Sequence, residues 1–428
     1  MTRLRPVTVA RYPSPMLVRA LLVLAALLCL PPPPAARAET RTPVTILVSL
    51  DGFRPDYLRR GHSPRLDALA AGGVSAVMRP SFPAKTFPNH WTIVTGARPD
   101  RHGITANRIE DPADPRRVFT MASTDPFWWN AVPPIWVEAE RAGIRTASMF
   151  WPGANVAWGG RRREAWPEGI MGGLRPRDWH EHQSDVTDTQ RTDAVLDWLR
   201  RPAESRPRFI ALYYETVDTV GHNYGPNDPR TAAAVAQVDE AVGRLVDGLA
   251  AFGQPANLVI VADHGMAEVR PDRVIGLDRL LPPDSYRVVE DGPFATLVAP
   301  PGREEALAAA LRRPHPHMRC WPKAALPARF HYGTNARIPP FLCLAETGWV
   351  IQRSSAYAQR SRGEHGYDPD SPDMAALFIA SGPAIRRGLR LPAFDNVHVY
   401  PLLARLLGVA PHSGDGDPAV LGSVLAAR

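Results

Sequence analysis

Four short stretches of the chain are apolar at nearly every position, and helical spacing of apolar residues recurs between them. Val44–Leu50 (Val-Thr-Ile-Leu-Val-Ser-Leu) is the first, and Phe209–Tyr214, Asn257–Ala262 and Ala375–Ala380 repeat its character. Continuous β-branched and apolar runs of this length are expected of strands buried on both faces. Asp51-Gly52 ends the first run. Pro55 then opens a predicted helix with apolar positions at Tyr57, Leu58, Leu66, Leu69 and Ala70, closed by Gly72-Gly73. Ala232–Phe252 reads as an amphipathic helix between two of the strands. Strands alternating with helices predict an α/β fold built on a largely parallel sheet covered on both faces.

Two stretches break this rhythm. Residues 108–205 are rich in Trp, Pro and Arg, and residues 268–362 carry Pro-Pro pairs and little clean periodicity. Both are expected as insertions that form a cap over the strand ends. The 46 prolines fit long excursions between regular elements. At 428 residues, 45% hydrophobic and 22% charged, the chain has the composition of a folded protein and not of a disordered one.

The net charge of +7 points at first to an anionic polymer as partner. Five arginines and no acidic residue fall within residues 1–38, however. There Leu21–Leu30 forms a short apolar core before Pro31–Pro34 and an Ala36-Arg37-Ala38 cleavage pattern. That arrangement predicts a signal peptide, with an apolar core too short for a membrane span. Removing it leaves 45 basic residues against 43 acidic, so bulk charge gives no support to nucleic-acid binding. No stable membrane anchor and no protein partner are inferred, and the destination is periplasmic or secreted. Two cysteines remain, Cys320 and Cys343. In an oxidising compartment they most simply pair, with two buried thiols as the alternative.

The acidic and histidine residues collect next to the predicted strands. Asp51 ends the first. Asp218 and His222 follow the second, Asp263-His264 ends the third, and His365 precedes the last. Ligands of open α/β sheets gather outside the carboxyl ends of the strands. Carboxylate oxygen with imidazole nitrogen suits Zn²⁺, with Mn²⁺ or Fe as alternatives. Any one of these clusters is also read as a turn or a helix cap; six such residues at one edge favour a metal site. Thr86 stands before an apolar helical stretch, where its hydroxyl suits an anion-binding helix N-terminus. Its position alone fits an ordinary N-cap as well.

Six motifs then stand in one order along the chain. They are Asp51-Gly, Lys85-Thr86-Phe-Pro-Asn-His90, Thr95-Gly-x-x-Pro-Asp-x-His102-Gly-Ile-x-x-Asn107, Asp218-x-x-Gly-His222, Asp263-His264-Gly-Met and His365-Gly-Tyr-Asp-Pro369. Together they resemble the nucleotide pyrophosphatases/phosphodiesterases of the alkaline phosphatase superfamily, over about residues 44 to 410, and most of all the compact bacterial secreted members. The resemblance implies one alkaline-phosphatase-like catalytic domain over residues 39–428. It implies two Zn²⁺ per chain, one held by Asp218, His222 and His365, the other by Asp51, Asp263, His264 and the Thr86 oxygen. It makes Thr86 the nucleophile that forms a covalent intermediate, with Asn107 donating to a phosphate oxygen beside the Phe87 N–H. Phe87 and Tyr213 would wall an aromatic slot for a base, with Met121 and His182 as further wall residues. His182 stands where the family pattern has Tyr. The cysteine pair also matches the family.

A hydroxyl is a poor nucleophile at neutral pH, and metal coordination is one way to activate it. Lys85 is the one basic residue among the matched phosphate contacts, which favours a diester over a doubly charged monoester. The expected activity is hydrolysis of nucleotide phosphodiester or pyrophosphate bonds in a small nucleotide or dinucleotide, releasing nucleoside 5'-monophosphate. The same chemistry on a choline-headgroup or lysophospholipid diester, a phosphomonoester or a phosphonate is the alternative. A non-catalytic zinc or phosphate binder is a more distant one, since no ligand or nucleophile is missing.

Overall fold

The computed structural model describes residues 41–356 and 359–426, and residues from Thr42 onward form one compact unit. The signal peptide expected over residues 1–38 lies outside the described residues. The sheet that positions the site is built from strands β1 (Val44–Leu50), β2 (Val74–Arg79), β3 (Thr146–Met149), β4 (Asp178–His180), β5 (Phe209–Tyr214), β6 (Ala256–Val261), β7 (Ala376–Ser381), β8 (Leu389–Arg390) and β9 (Phe394–Asp395). Their order is β8-β2-β7-β6-β1-β5-β3-β4, with β9 also pairing β2. All pairs are parallel except those of β7, which runs against both β6 and β2.

The central position of β1 explains its composition. All seven of its residues are buried, and it lies between β5 and β6 with Val48 level with Leu212 on one side and Ile260 on the other. A strand with helices over both faces has no solvent side to alternate with. The helices are α1 (Pro64–Gly72), α2 (Thr86–Thr95), α3 (Asp188–Arg200), α4 (Thr216–Tyr224), α5 (Pro229–Ala251) and α6 (Val399–Leu407), with shorter ones in the loops. Asp239 of α5 reaches across to the first turn of α1 and accepts from the Arg65 and Leu66 N–H groups at 3.1 and 2.7 Å. Two otherwise orphan donors are satisfied by a neighbouring helix.

Several expectations change. Pro55 opens only a short 3-10 turn over Pro55–Tyr57, and the helix begins at Pro64. The stretch 108–205 is more than a cap, because it supplies β3, β4 and α3 to the core. The stretch 268–362 carries an antiparallel sheet of its own, in the order Arg287–Glu290, Phe294–Val298, Phe341–Ala345, Met318–Pro322, over a second apolar cluster. Cys320 and Cys343 face each other across two of these strands and form a disulfide. Among the described residues no helix is long and apolar enough to cross a membrane.

Candidate metal centre and substrate cleft

The reversed strand β7 explains why residues from so many segments meet. Asp51 and Asp263 follow the carboxyl ends of β1 and β6 directly. Thr86 follows β2 and Asp218 lies in the first turn of α4 after β5. Because β7 runs backwards, the loop before it, with His365, lies at the same edge.

Local chemistry fixes each group. Gly52 turns the chain after Asp51 with φ of +66°, and a Cβ there would stand 3.0 Å from Asp218 Oδ1. A side chain is excluded on both counts. Asn89 pins the loop before α2: its Oδ1 accepts from Ser81 N, and its amide donates to Pro83 O and Lys85 O at 2.9 and 2.8 Å. Thr86 is thereby held at the first position of α2, with its Oγ1 3.3 Å from His264 Nε2.

Three imidazoles share one arrangement. His222 Nδ1 donates to Gly363 O at 2.7 Å, His264 Nδ1 to Gly265 O at 2.9 Å and His365 Nδ1 to Ala84 O at 2.9 Å. A carbonyl only accepts, so each Nδ1 carries a proton and each ring turns its Nε2 toward the carboxylates. His264 Nε2 lies 2.9 Å from Asp263 Oδ2 and 3.4 Å from Asp51 Oδ1; His365 Nε2 lies 3.7 Å from Asp218 Oδ1. Asp51 Oδ1, Asp218 Oδ1 and Asp263 Oδ2 are buried without a donor.

The electrostatics follow from that crowding. Burial, and then the charges of Asp263 and Asp218, push the Asp51 carboxyl well above the usual range. Burial also acts upward on Asp263, but His264 and His90 outweigh it and hold Asp263 well below the usual range. Burial and the neighbouring His264 and Lys85 push His365 far down, which keeps it neutral. Buried acceptors facing one another are what a divalent cation satisfies, and the mixed oxygen and nitrogen donors suit zinc. The residues therefore fit the metal centre.

The atoms form two tight groups, Asp51 with Asp263 and His264, and Asp218 with His264 and His365, each with donor atoms within 4.8 Å of one another. The first is the expected set. In the second, His264 stands where His222 was expected. His222 is more exposed, and its Nε2 lies 3.5 Å from Asp218 Oδ2, beside the group. His264 stacks on His365 with ring centroids 3.5 Å apart, so it borders both groups.

Beside the cluster, Phe87 N donates to Asn107 Oδ1 at 3.1 Å, which leaves the Asn107 NH₂ group free to donate. Phe87, Met121 and His182 line one cleft of about 340 Å³, together with Trp129, Trp151 and Asn155. A larger hollow of about 620 Å³ near Arg65 and Arg387 contains none of the cluster residues. Tyr213 does not line the cleft. It is buried, and its hydroxyl donates to Asp51 Oδ2 at 2.6 Å, so it acts on the cluster from behind. Lys85 is buried too, its stem against Gly366 and its charge acting on Glu290. Burial pushes the Glu290 carboxyl up to about 7, against the pull of Lys85 and of the Arg108 N–H it accepts.

The supporting groups were harder to find in the sequence. His90 lies against Asp263, with Nδ1 at 3.3 Å from Oδ2, and its Nε2 meets Ser49 Oγ at 2.8 Å. Arg191, almost wholly buried, grips Glu215 with both guanidinium arms, and Glu215 Oε1 lies 3.2 Å from His182 Nε2 on the cleft wall. Burial raises the Glu215 carboxyl, but Arg191 and His182 hold it down at about 2. His90, within the Thr86 motif, and Glu215, three residues before Asp218, carry a sequence signal of nearness to the site, and Arg191 carries none.

A family model for type I phosphodiesterase/nucleotide pyrophosphatase matches residues 45–368. The bis(5'-adenosyl)-triphosphatase of Xenopus laevis is 36% identical over 382 residues, covering 88% of this chain and 80% of that protein. Human ectonucleotide pyrophosphatase/phosphodiesterase family member 7 is 36% identical over 392 residues, covering 88% and 82%. Among solved structures, murine ectonucleotide pyrophosphatase/phosphodiesterase 5 as an inactive threonine-to-alanine variant in complex with AMP superposes with a TM-score of 0.83. It is 29% identical and covers 90% of this chain and 100% of that one.

Proposed function

The chain belongs to the type I phosphodiesterase/nucleotide pyrophosphatase family of the alkaline phosphatase superfamily, and from that membership we propose a two-zinc hydrolase that cleaves nucleotide phosphodiester and pyrophosphate bonds and releases nucleoside 5'-monophosphates. The observation that carries this reading is the place of Thr86. Its hydroxyl borders the buried carboxylate–imidazole cluster, and the next residue, Phe87, lines the cleft. The solved relative bound to AMP and inactive as a threonine-to-alanine variant supports it.

In this reading Asp51, Asp263, His264 and the Thr86 oxygen hold one zinc, and Asp218, His222 and His365 hold the other. Zinc bound there would supply a Lewis acid that lowers the pKa of the Thr86 hydroxyl and offsets the negative charge that develops in the displacement. Thr86 Oγ attacks phosphorus in line as the bond to the leaving group breaks. Water then displaces Thr86 in a second in-line step, with net retention at phosphorus. The Asn107 NH₂ donates to a non-bridging oxygen, and the Phe87 N–H fixes the amide orientation by holding Oδ1. Phe87 and His182 form the walls between which a base lies, while Tyr213 orients Asp51. Residues 1–38 serve as an export signal, and the Cys320–Cys343 disulfide supports an oxidising destination.

The test is kcat/KM on the 4-nitrophenyl esters of thymidine monophosphate, of phosphate and of phosphorylcholine, with zinc and after chelation. A zinc-dependent preference for the thymidine diester is expected. Preference for the monoester or the choline ester overturns the substrate assignment. Thr86→Ala is expected to keep its zinc and lose turnover, and near-normal turnover overturns the nucleophile.

A further inference from the structure

Among the described residues, eight large apolar side chains are exposed, and four of them, Trp166, Met171, Leu174 and Trp179, fall within fourteen consecutive positions. Three belong to or flank a small hairpin, Arg161–Arg163 paired with Gly169–Met171. Trp166 at its tip is 88% exposed and Met171 56%. A monomer surface does not ordinarily concentrate such groups without use.

The hairpin has a fixed base and an exposed tip, where Arg163 donates to Trp166 O at 3.1 Å. Trp158 and Leu174 exchange two backbone hydrogen bonds, at 2.9 and 2.8 Å, just before and after it. The Asn130 side chain accepts from Gly159 N and donates to Gly160 O. The register places Arg161 opposite Met171, Arg162 opposite Ile170 and Arg163 opposite Gly169. Side chains of directly opposed residues share a face. Ile170 packs toward Gly160, so its face is the inner one. Arg161, Arg163 and Met171 therefore share the outer face, below Trp166. From the base the chain runs on to His180 and His182 in the cleft wall, and Arg175 donates to Asn155 O in the same wall.

We propose that the outer face and tip of the 161–171 hairpin dock on a phospholipid bilayer surface and bring the mouth of the cleft to that surface. An exposed Trp beside a Met suits the headgroup boundary, where an indole places its apolar body inward and its N–H in the wet layer. Arginine forks on the same face suit the lipid phosphates. Three arginines against Glu164 and Glu168 leave a net charge of only +1 on residues 161–171. The docking is then mainly interfacial, and anionic lipid strengthens it about fivefold, one net charge's worth. The docking is peripheral and independent of which phosphodiester the site hydrolyses.

The test is co-sedimentation of the mature protein, residues 39–428, with vesicles of phosphatidylcholine, and of phosphatidylcholine with phosphatidylglycerol. The double variant Trp166→Ala/Met171→Ala is compared with the parent; both lack the apolar segment 1–38, so any difference belongs to the hairpin. The variant is expected to lose at least tenfold in vesicle affinity, with melting temperature and turnover of a soluble ester unchanged. Trp166→Phe, which keeps an apolar ring, retains most of the binding. Arg161→Glu/Arg163→Glu weakens binding most on vesicles with phosphatidylglycerol. A parent that stays in the supernatant, or a double variant that binds within about twofold of it, overturns the proposal. A parent that forms a dimer dissolved by the double variant, without binding vesicles, assigns the hairpin to self-association and overturns it as well.

Discussion

Tyr213→Phe removes one oxygen atom and separates two roles for that residue. The ring and its edge-to-face contact with His90, at 5.1 Å between centroids, are kept. What is lost is the hydrogen bond from the hydroxyl to Asp51 Oδ2 at 2.6 Å, a short bond to a buried charge. Such bonds contribute about 1.5–3 kcal/mol. Losing the partner that orients a metal ligand ordinarily costs about 10- to 100-fold in metal affinity, and the two figures agree. The hydroxyl also pulls the Asp51 carboxyl down against burial and its acidic neighbours. The variant's Asp51 therefore ionises at higher pH, and zinc uptake shifts upward in pH with it. Zinc affinity is measured by competition with a chromogenic chelator. Turnover is measured on a nucleotide ester and on a diester without a base, at limiting and at saturating zinc. Equal loss on both esters at limiting zinc, largely restored by excess zinc, is expected. Unchanged zinc affinity with a loss confined to the nucleotide ester would refute the argument and return Tyr213 to the base slot.

Phe87→Ala is expected to lower kcat/KM for the nucleotide ester by at least about fivefold, at 1–3 kcal/mol for one base–aromatic stack, and to leave the base-free diester little changed; equal loss on both would place Phe87 in packing alone. Glu290 offers a pH test. Its folded pKa of about 7 lies above the ordinary 4.5, so its contribution is fully present below pH 4.5 and is lost as pH rises through 7. Glu290→Gln is therefore expected to gain up to about 3 kcal/mol over the parent above pH 7 and nothing below pH 4.5, read from denaturant melts across that range. Replacing both Cys320 and Cys343 by Ala opens a loop with a sequence separation of 23 and is expected to cost about 3 kcal/mol, with zinc content unchanged because the bridge lies in the second apolar cluster.

The strands most deeply buried were the most legible in the sequence. β1, β5, β6 and β7 lie within one residue of their predicted bounds, because a strand covered on both faces is written as a continuous apolar run. β2 was missed, and its burial alternates along Val74–Arg79. Four-residue β3, inside a Trp-rich segment, was missed as well. Short strands of mixed pattern carry too few positions to stand out.

The site divides along a similar line. Asp51, Asp218, Asp263, His264 and His365 could be named from the chain because each follows or precedes a strand end, and a sheet gathers its strand ends at one edge. The sequence also specifies Thr86 beside Phe87, since neighbours in the chain stay neighbours in space. Tertiary structure alone decided the rest. It set the reversed direction of β7, which carries His365 to the common edge, and the place of His264 between the two groups. It turned the Tyr213 hydroxyl onto Asp51 and brought Arg191 and Glu215 behind His182. The Tyr213–Asp51, Glu215–His182 and Arg191–Glu215 contacts join residues 162, 33 and 24 positions apart. Their geometry depends on side-chain direction and burial, which the order of residues along one chain does not encode locally.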